Sequence, residues 1–366
     1  MATTFKTLTA NDITNTRTLL HEAIPLTGTI SSGTYNAEGS DENIKTFSHG
    51  MFESVFDYPY LSSSANHIYD ISYGISTGSV FSASTTIQGA KKVNIYNQMA
   101  SVLVGHDSVG KIQRFDQDGD LAGGGFKIND AVFFNFSRLL VKDEIKKGSF
   151  SLQFLTGATP LPLARTHPVT ISDYQASSSY LVNSPAGEYG LLYTSSSPDN
   201  TFPVGLVYYQ AGVAVLTGAC FSASSNAGND SKDGGGLPLQ HTVIRMGPGY
   251  DSSSYQGLAT GSTIETMADS VRNRIVNVSF NNTVELNSTI YFCRANHDEF
   301  NYSSNPTYLT ASQIRVKNTT TDNPVAYITT VGLYSSDNEL MAVAKLSEPL
   351  KKDPSTELTL RVRLDY

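Results

Sequence analysis

The chain has no tryptophan, only two cysteines and little charge. Charged residues make up 16% of its 366 positions, against about 25% in an average soluble protein. The two cysteines, Cys220 and Cys293, stand in no metal-ligand spacing such as C-x-x-C. Two buried thiols acting as small apolar side chains are expected, with a single disulfide between them left open. A chain of this length can bury a sizeable core without a disulfide or a metal. No apolar run reaches the roughly 18 residues of a membrane-spanning helix. The first twenty residues, MATTFKTLTANDITNTRTLL, lack the basic start and apolar centre of a secretory leader. Synthesis in a cytoplasm is therefore expected, with no membrane partner. The net charge of −8 argues against a dedicated nucleic-acid binder, which needs a basic face to displace counterions from phosphate.

What is there is Ser, Thr, Asn, 20 Tyr and 17 Phe. This mixture suits strands and turns, because β-branched and aromatic side chains fit a pleated, half-buried surface. It also suits a surface covered by neighbouring subunits, where few charges need desolvating. A simple β-rich secreted domain fits the composition equally well.

Along the chain, residues 10–23 carry a helical spacing at Ile13, Thr16, Leu19 and Leu20, with Thr9 or Asn11 as cap and Pro25 as stop. Residues 91–104 suggest a second helix, and HIYDISYGI (67–75) alternates as a strand does. FKINDAVFFNFSRLLVKDEI (126–145) turns at 146–148 into SFSLQFLTG, which reads as a hairpin. A second hairpin is expected from the two Tyr-rich runs within 187–221. Residues 224–238 and 247–262 are linker-like. The last third reads as an antiparallel meander. Its final strand, LTLRVRLDY, puts Leu358, Leu360, Val362 and Leu364 on one face and Arg361 and Arg363 on the other.

The expected class is α+β, mainly antiparallel β with a few short helices and a C-terminal β-meander. Three regions are expected: an α+β core at 1–158, an inserted β-rich middle at 159–289, and the meander at 290–366, packed with the core.

Motifs of chemistry are scarce. Of the seven histidines, no two stand in an H-x-H or H-E-x-x-H spacing. The glycine runs at 121–126 and 233–238 match neither a P-loop nor a dinucleotide fingerprint, and no G-x-S-x-G elbow exists. A paired-carboxylate site cannot be picked out among scattered acids. FDQDGD (115–120) sets Asp116, Asp118 and Asp120 at alternating positions. A calcium loop would need glycine sixth and glutamate twelfth. Counted from Asp116 the twelfth residue is Lys127, so a solvated acidic turn is the expected state. No enzyme activity, cofactor or metal is expected.

Two parts of the chain carry a resemblance. PVAYITTVGLYSSDNELMAVAKLSEPLKKDPSTELTLRVRLDY (324–366) looks like the strand-turn-strand element of phage tail-fibre, collar and baseplate proteins. The matching residues are Ile328, Thr329, Gly332, Leu333 and Tyr334, then Leu340, Ala342, Val343 and Ala344. There Gly332 would let a neighbouring backbone approach closely. ANHDEFNYSSNPTYL (295–309), NTRTLLHEAIPLTGTI and SHGMFESVFDYPYLSSSANHIYD resemble stretches of virion structural proteins of large contractile-tailed bacteriophages, including cyanobacterial ones. The likeness covers roughly 1–155 and 290–366 and leaves the middle unmatched. It implies a structural protein of the virion, in the contractile tail or baseplate, whose partners are other virion proteins and copies of itself. A receptor- or glycan-binding tail module, a tail enzyme cleaving cell-wall glycan, and a capsid or neck protein are the alternatives. The contact candidates are Asp57, Tyr58, Tyr60, Phe300, Tyr302, Tyr308, Arg361 and Arg363.

Overall fold

The computed structural model describes residues 5–25, 43–79, 82, 86–121, 127–155, 168–194, 203–221, 259–272, 275–301, 309–310, 313–314 and 325–366. A 3-10 turn (Ala10–Asp12) leads into β1 (Ile13–Pro25). Then follow β2 (Ile44–Lys45), β3 (Glu53–Phe56), β4 (His67–Ile75), the helix α1 (Ile87–Leu103), β5 (Asp130–Phe136) and the short α2 (Arg138–Val141). Next come β6 (Glu144–Ile145), β7 (Ser151–Leu155), β8 (Pro168–Ser172), β9 (Leu181–Ser184), β10 (Gly187–Leu192), β11 (Gly205–Tyr208) and β12 (Val213–Thr217). The helix α3 (Ile264–Arg272) precedes the 21-residue β13 (Ile275–Ala295). The last strands are β14 (Leu309–Thr310), β15 (Gln313–Ile314), β16 (Ala326–Tyr334), β17 (Leu340–Lys352) and β18 (Leu358–Asp365). Strand holds 48% and helix 16%, so the class is α+β dominated by antiparallel sheet.

The chain divides into a larger unit, Leu20–Val284, and a smaller one, Met1–Leu19 with Glu285–Tyr366. This differs from the three expected regions. β12 pairs residue by residue with β5, from Val213↔Asn135 to Thr217↔Ala131, and so completes the central sheet of the larger unit.

That sheet has eight strands in the order β2-β3-β4-β5-β12-β11-β10-β9. β5 is buried along almost its whole length, as a central strand covered on both faces must be. On one face Phe133 meets Phe115 at 5.7 Å and Tyr96 of α1 at 6.4 Å. On the other, Phe136 meets Phe150 at 5.7 Å and Phe280 of β13 at 5.2 Å. Helix and second sheet thus sandwich the central strand. α1 begins at Thr86, whose hydroxyl accepts from Gly89 N–H at 3.1 Å.

Two local expectations change. Residues 13–25 form a strand rather than a helix. Ile13, Thr14, Thr16 and Thr18 are β-branched and lose rotamer freedom in a helix. The long β13 supplies a partner: Thr289 Oγ1 donates to Asn15 Oδ1 at 2.8 Å, and Arg17 pairs with Glu285. Thr9 does stand at an N-cap, but only that of the 3-10 turn, where its backbone N–H and hydroxyl donate to Asp12 Oδ2 at 3.0 and 2.6 Å. The second change is that β5 and β7 are not a hairpin. β5 lies between β4 and β12, and β7 between β13 and β8. By contrast β10 and β11 do pair antiparallel, Tyr189 opposite Tyr208.

In the smaller unit β16 and β17 form a two-stranded sheet of their own. β18 pairs with β13, Leu358 to Asp365 against Ala295 to Ser288. Its apolar residues are the more buried and Thr359, Arg361, Arg363 and Asp365 are exposed, the alternation expected of it. Cys220 and Cys293 are both free, and burial pushes the Cys220 thiol up to about 12. The linker-like stretches lie outside the described residues, apart from 259–262.

Candidate interaction surface

The contact candidates fall in three places. Asp57, Tyr58 and Tyr60 stand on the loop joining β3 to β4. Asp57 accepts from the backbone N–H of Asn66 at 2.6 Å and from its side-chain amide at 2.8 Å. Both carboxylate oxygens thus close the loop. Beyond them Tyr58, Tyr60 and Leu61 are exposed, Leu61 to 86%. The pinned loop thus holds these apolar side chains in water.

Phe300 is exposed, with a φ of 53°. It lies in the turn where the buried Lys352 ammonium donates to Asn301 Oδ1 (2.7 Å) and the carbonyls of His297 (3.2 Å) and Asp353 (2.9 Å). Tyr302 and Tyr308 lie outside the described residues. On β18 Arg361 is exposed. Arg363 donates to Asp365 Oδ1 at 2.6 Å and to Ser288 Oγ at 3.0 Å, so one of the two guanidiniums is held within its own sheet.

The larger apolar surface belongs to residues outside the contact candidates. On the β16–β17 ribbon, Gly332 faces Val343 and Tyr334 faces Leu340. Tyr327, Tyr334, Leu340, Met341 and Val343 are exposed, Met341 to 70%. Val331, Leu333, Ala342 and Ala344 on the opposite face are only half-buried. The signal was present in LMAVA, whose apolar residues occupy both parities, so neither face of the strand is polar. Gly332 makes room for a ring rather than a foreign backbone: a Cβ there would stand 2.9 Å from Tyr334 Cε2. The Tyr334 ring in turn meets Phe5 at 4.8 Å.

Two clusters invite a chemical reading. Asp70 Oδ1 accepts from Ser54 Oγ at 2.5 Å and meets His67 Nε2 at 2.8 Å. The carboxylate stands between serine and histidine, so the imidazole is not placed to take the serine proton, as nucleophilic catalysis requires. The second cluster is the acidic turn. One ligand oxygen each from Asp116, Asp118 and Asp120 lies within 4.8 Å of the others. Asp118 and Asp120 are exposed as expected, but Asp116 has 0% exposure. Solvation of the whole turn is therefore corrected. Phe115 just before it and Ile128 after it are core residues and draw Asp116 inward. Lys127 pairs with its Oδ2. Burial, opposed by Lys127 and reinforced by Asp118, raises the Asp116 carboxyl to about 7.

Among the described residues no other group of three His, Cys, Asp or Glu side chains is placed to share a metal, and no helix is long and apolar enough to cross a membrane. Comparison with protein-family models, with curated proteins and with solved structures finds no match to this chain.

Proposed function

We propose that this chain is a structural component of a contractile-tailed bacteriophage virion, placed in the tail or baseplate and acting through contacts between subunits. The observation that carries the reading is the β16–β17 ribbon. A two-stranded sheet is marginal on its own in water, and three strands or a packed face are needed for independent stability. This ribbon has strands of 9 and 13 residues and exposes apolar side chains in a row. Exposed apolar patches of that kind mark interaction sites. The ribbon is also the segment that resembles tail-fibre, collar and baseplate elements. Low charge, β1 exposed along nearly all its length and the pinned Tyr58–Leu61 loop favour the same reading.

Its partners are other virion proteins and further copies of itself, since tail assemblies are symmetric and repeat one contact many times. Quantitative mass spectrometry on purified particles, with heads separated from contractile tails, tests it. A small fixed copy number in multiples of three or six, found with the tails, is expected. Hundreds of copies with the heads would move the chain to the capsid, and absence from particles would end the structural reading.

A further inference from the structure

We propose that the 116–120 loop is a binding site for a hard divalent cation of the calcium class, held by Asp116, Asp118 and Asp120. Three carboxylates within 4.8 Å are common on protein surfaces and are not by themselves a site. The second observation is Asp116 itself. Its Oδ1 is sealed from solvent and, among the described residues, has no hydrogen-bond partner. A buried polar atom without a partner costs free energy and calls for an explanation such as an ion.

Lys127 leaves Asp116 Oδ1 for the ion, and Asp118 and Asp120 reach it from the solvent side. Calcium takes six to eight oxygens in flexible geometry and accepts bidentate carboxylates, so water fills the remaining positions. The loop is held in place independently of the ion. The Gly119 carbonyl accepts from the Tyr189 hydroxyl and the Asn183 amide, each at 2.9 Å. Gln117 Nε2 donates to the Pro203 carbonyl. Where a twelve-residue calcium loop has its bidentate glutamate, this chain has Lys127. One strong ligand is thus replaced by a competing charge, and the affinity falls among weak sites, with a Kd of about 10⁻⁴–10⁻³ M.

Terbium is the probe. The Tyr189 ring stands at the loop and the chain has no tryptophan, so tyrosine excitation reports a lanthanide bound there. The full chain should show saturable terbium luminescence that calcium displaces, and its melting temperature should rise in millimolar calcium. The double variant Asp118→Asn, Asp120→Asn changes exposed side chains only. It should stay folded by circular dichroism, bind terbium at least tenfold more weakly and lose the calcium-dependent rise. No calcium-displaceable signal, or the same signal in the variant, would overturn the proposal. Both readouts are independent of any place in a virion.

Discussion

The larger unit and the β16–β17 ribbon are built from the same kind of strand and treat it in opposite ways. In the eight-stranded sheet, β5 and β12 bury nearly every side chain, and aromatic rings from helix and second sheet close on both faces. In the ribbon, only Ala326 and Lys352, at the open end, are buried. Strand propensity alone therefore says little about where stability lies. The difference is the number of layers: the larger unit supplies its own core, whereas the ribbon leaves its apolar row exposed.

The comparison is tested first where it should matter most. Phe133→Ala removes a ring that packs with Tyr96 and Phe115 at the centre of the larger unit. The expected loss is about 3–5 kcal/mol, read as a lowered urea midpoint in the isolated chain. A loss near zero would mean that the eight-stranded sheet is not the seat of stability.

The second test concerns a polar member of the same core. Asp173 is fully buried and accepts from Gly148 N–H (2.8 Å), Phe150 N–H (2.9 Å) and the Tyr209 hydroxyl (2.9 Å). Burial outweighs these donors and raises its carboxyl above the ordinary range. The folded state then holds this proton more tightly than the unfolded state. The stabilisation is complete below the ordinary carboxylate value, about 4, and is lost as pH rises through the raised one. Asp173→Asn cannot titrate and supplies one acceptor oxygen for three donors. It should cost about 1–3 kcal/mol, most near pH 4 and less as pH rises. Urea unfolding of both chains across that range checks the trend, and a cost that grows with pH would contradict it.

Much of this was legible in the sequence, wherever the pattern is local. β18 shows its two faces by strict alternation, and α1 by its spacing. The β10–β11 hairpin shows by two apolar runs around a polar turn. What failed depends on distant partners. Residues 13–25 look helical until β13, more than 250 residues later, provides a strand to pair with. β5 and β7 look like a hairpin because they are neighbours in sequence, yet they belong to different sheets, β5 taking β12 as its partner by way of residues 213–217 and β7 taking β13. The acidic loop was readable as a cluster, but the burial of Asp116 was not. The Gly119 carbonyl is tied to Asn183 and Tyr189, 64 and 70 positions further on.

The smallest effect on the isolated chain is the one that separates the two regions most sharply. Met341→Ser with Val343→Thr replaces exposed apolar side chains on the ribbon by polar ones of similar or smaller size. Neither site is packed, so no cavity forms, and the change in stability should stay within about 0.5 kcal/mol. The same pair should sharply lower incorporation into particles, because a buried apolar contact would then face polar groups without partners. Complementation of a phage lacking the chain, followed by counting copies in purified tails, gives the second readout. A variant with unchanged stability that assembles normally would mean that the ribbon's apolar row is not a subunit contact. A variant that loses several kcal/mol would mean that the ribbon is covered by its own chain and belongs with the core it was contrasted with.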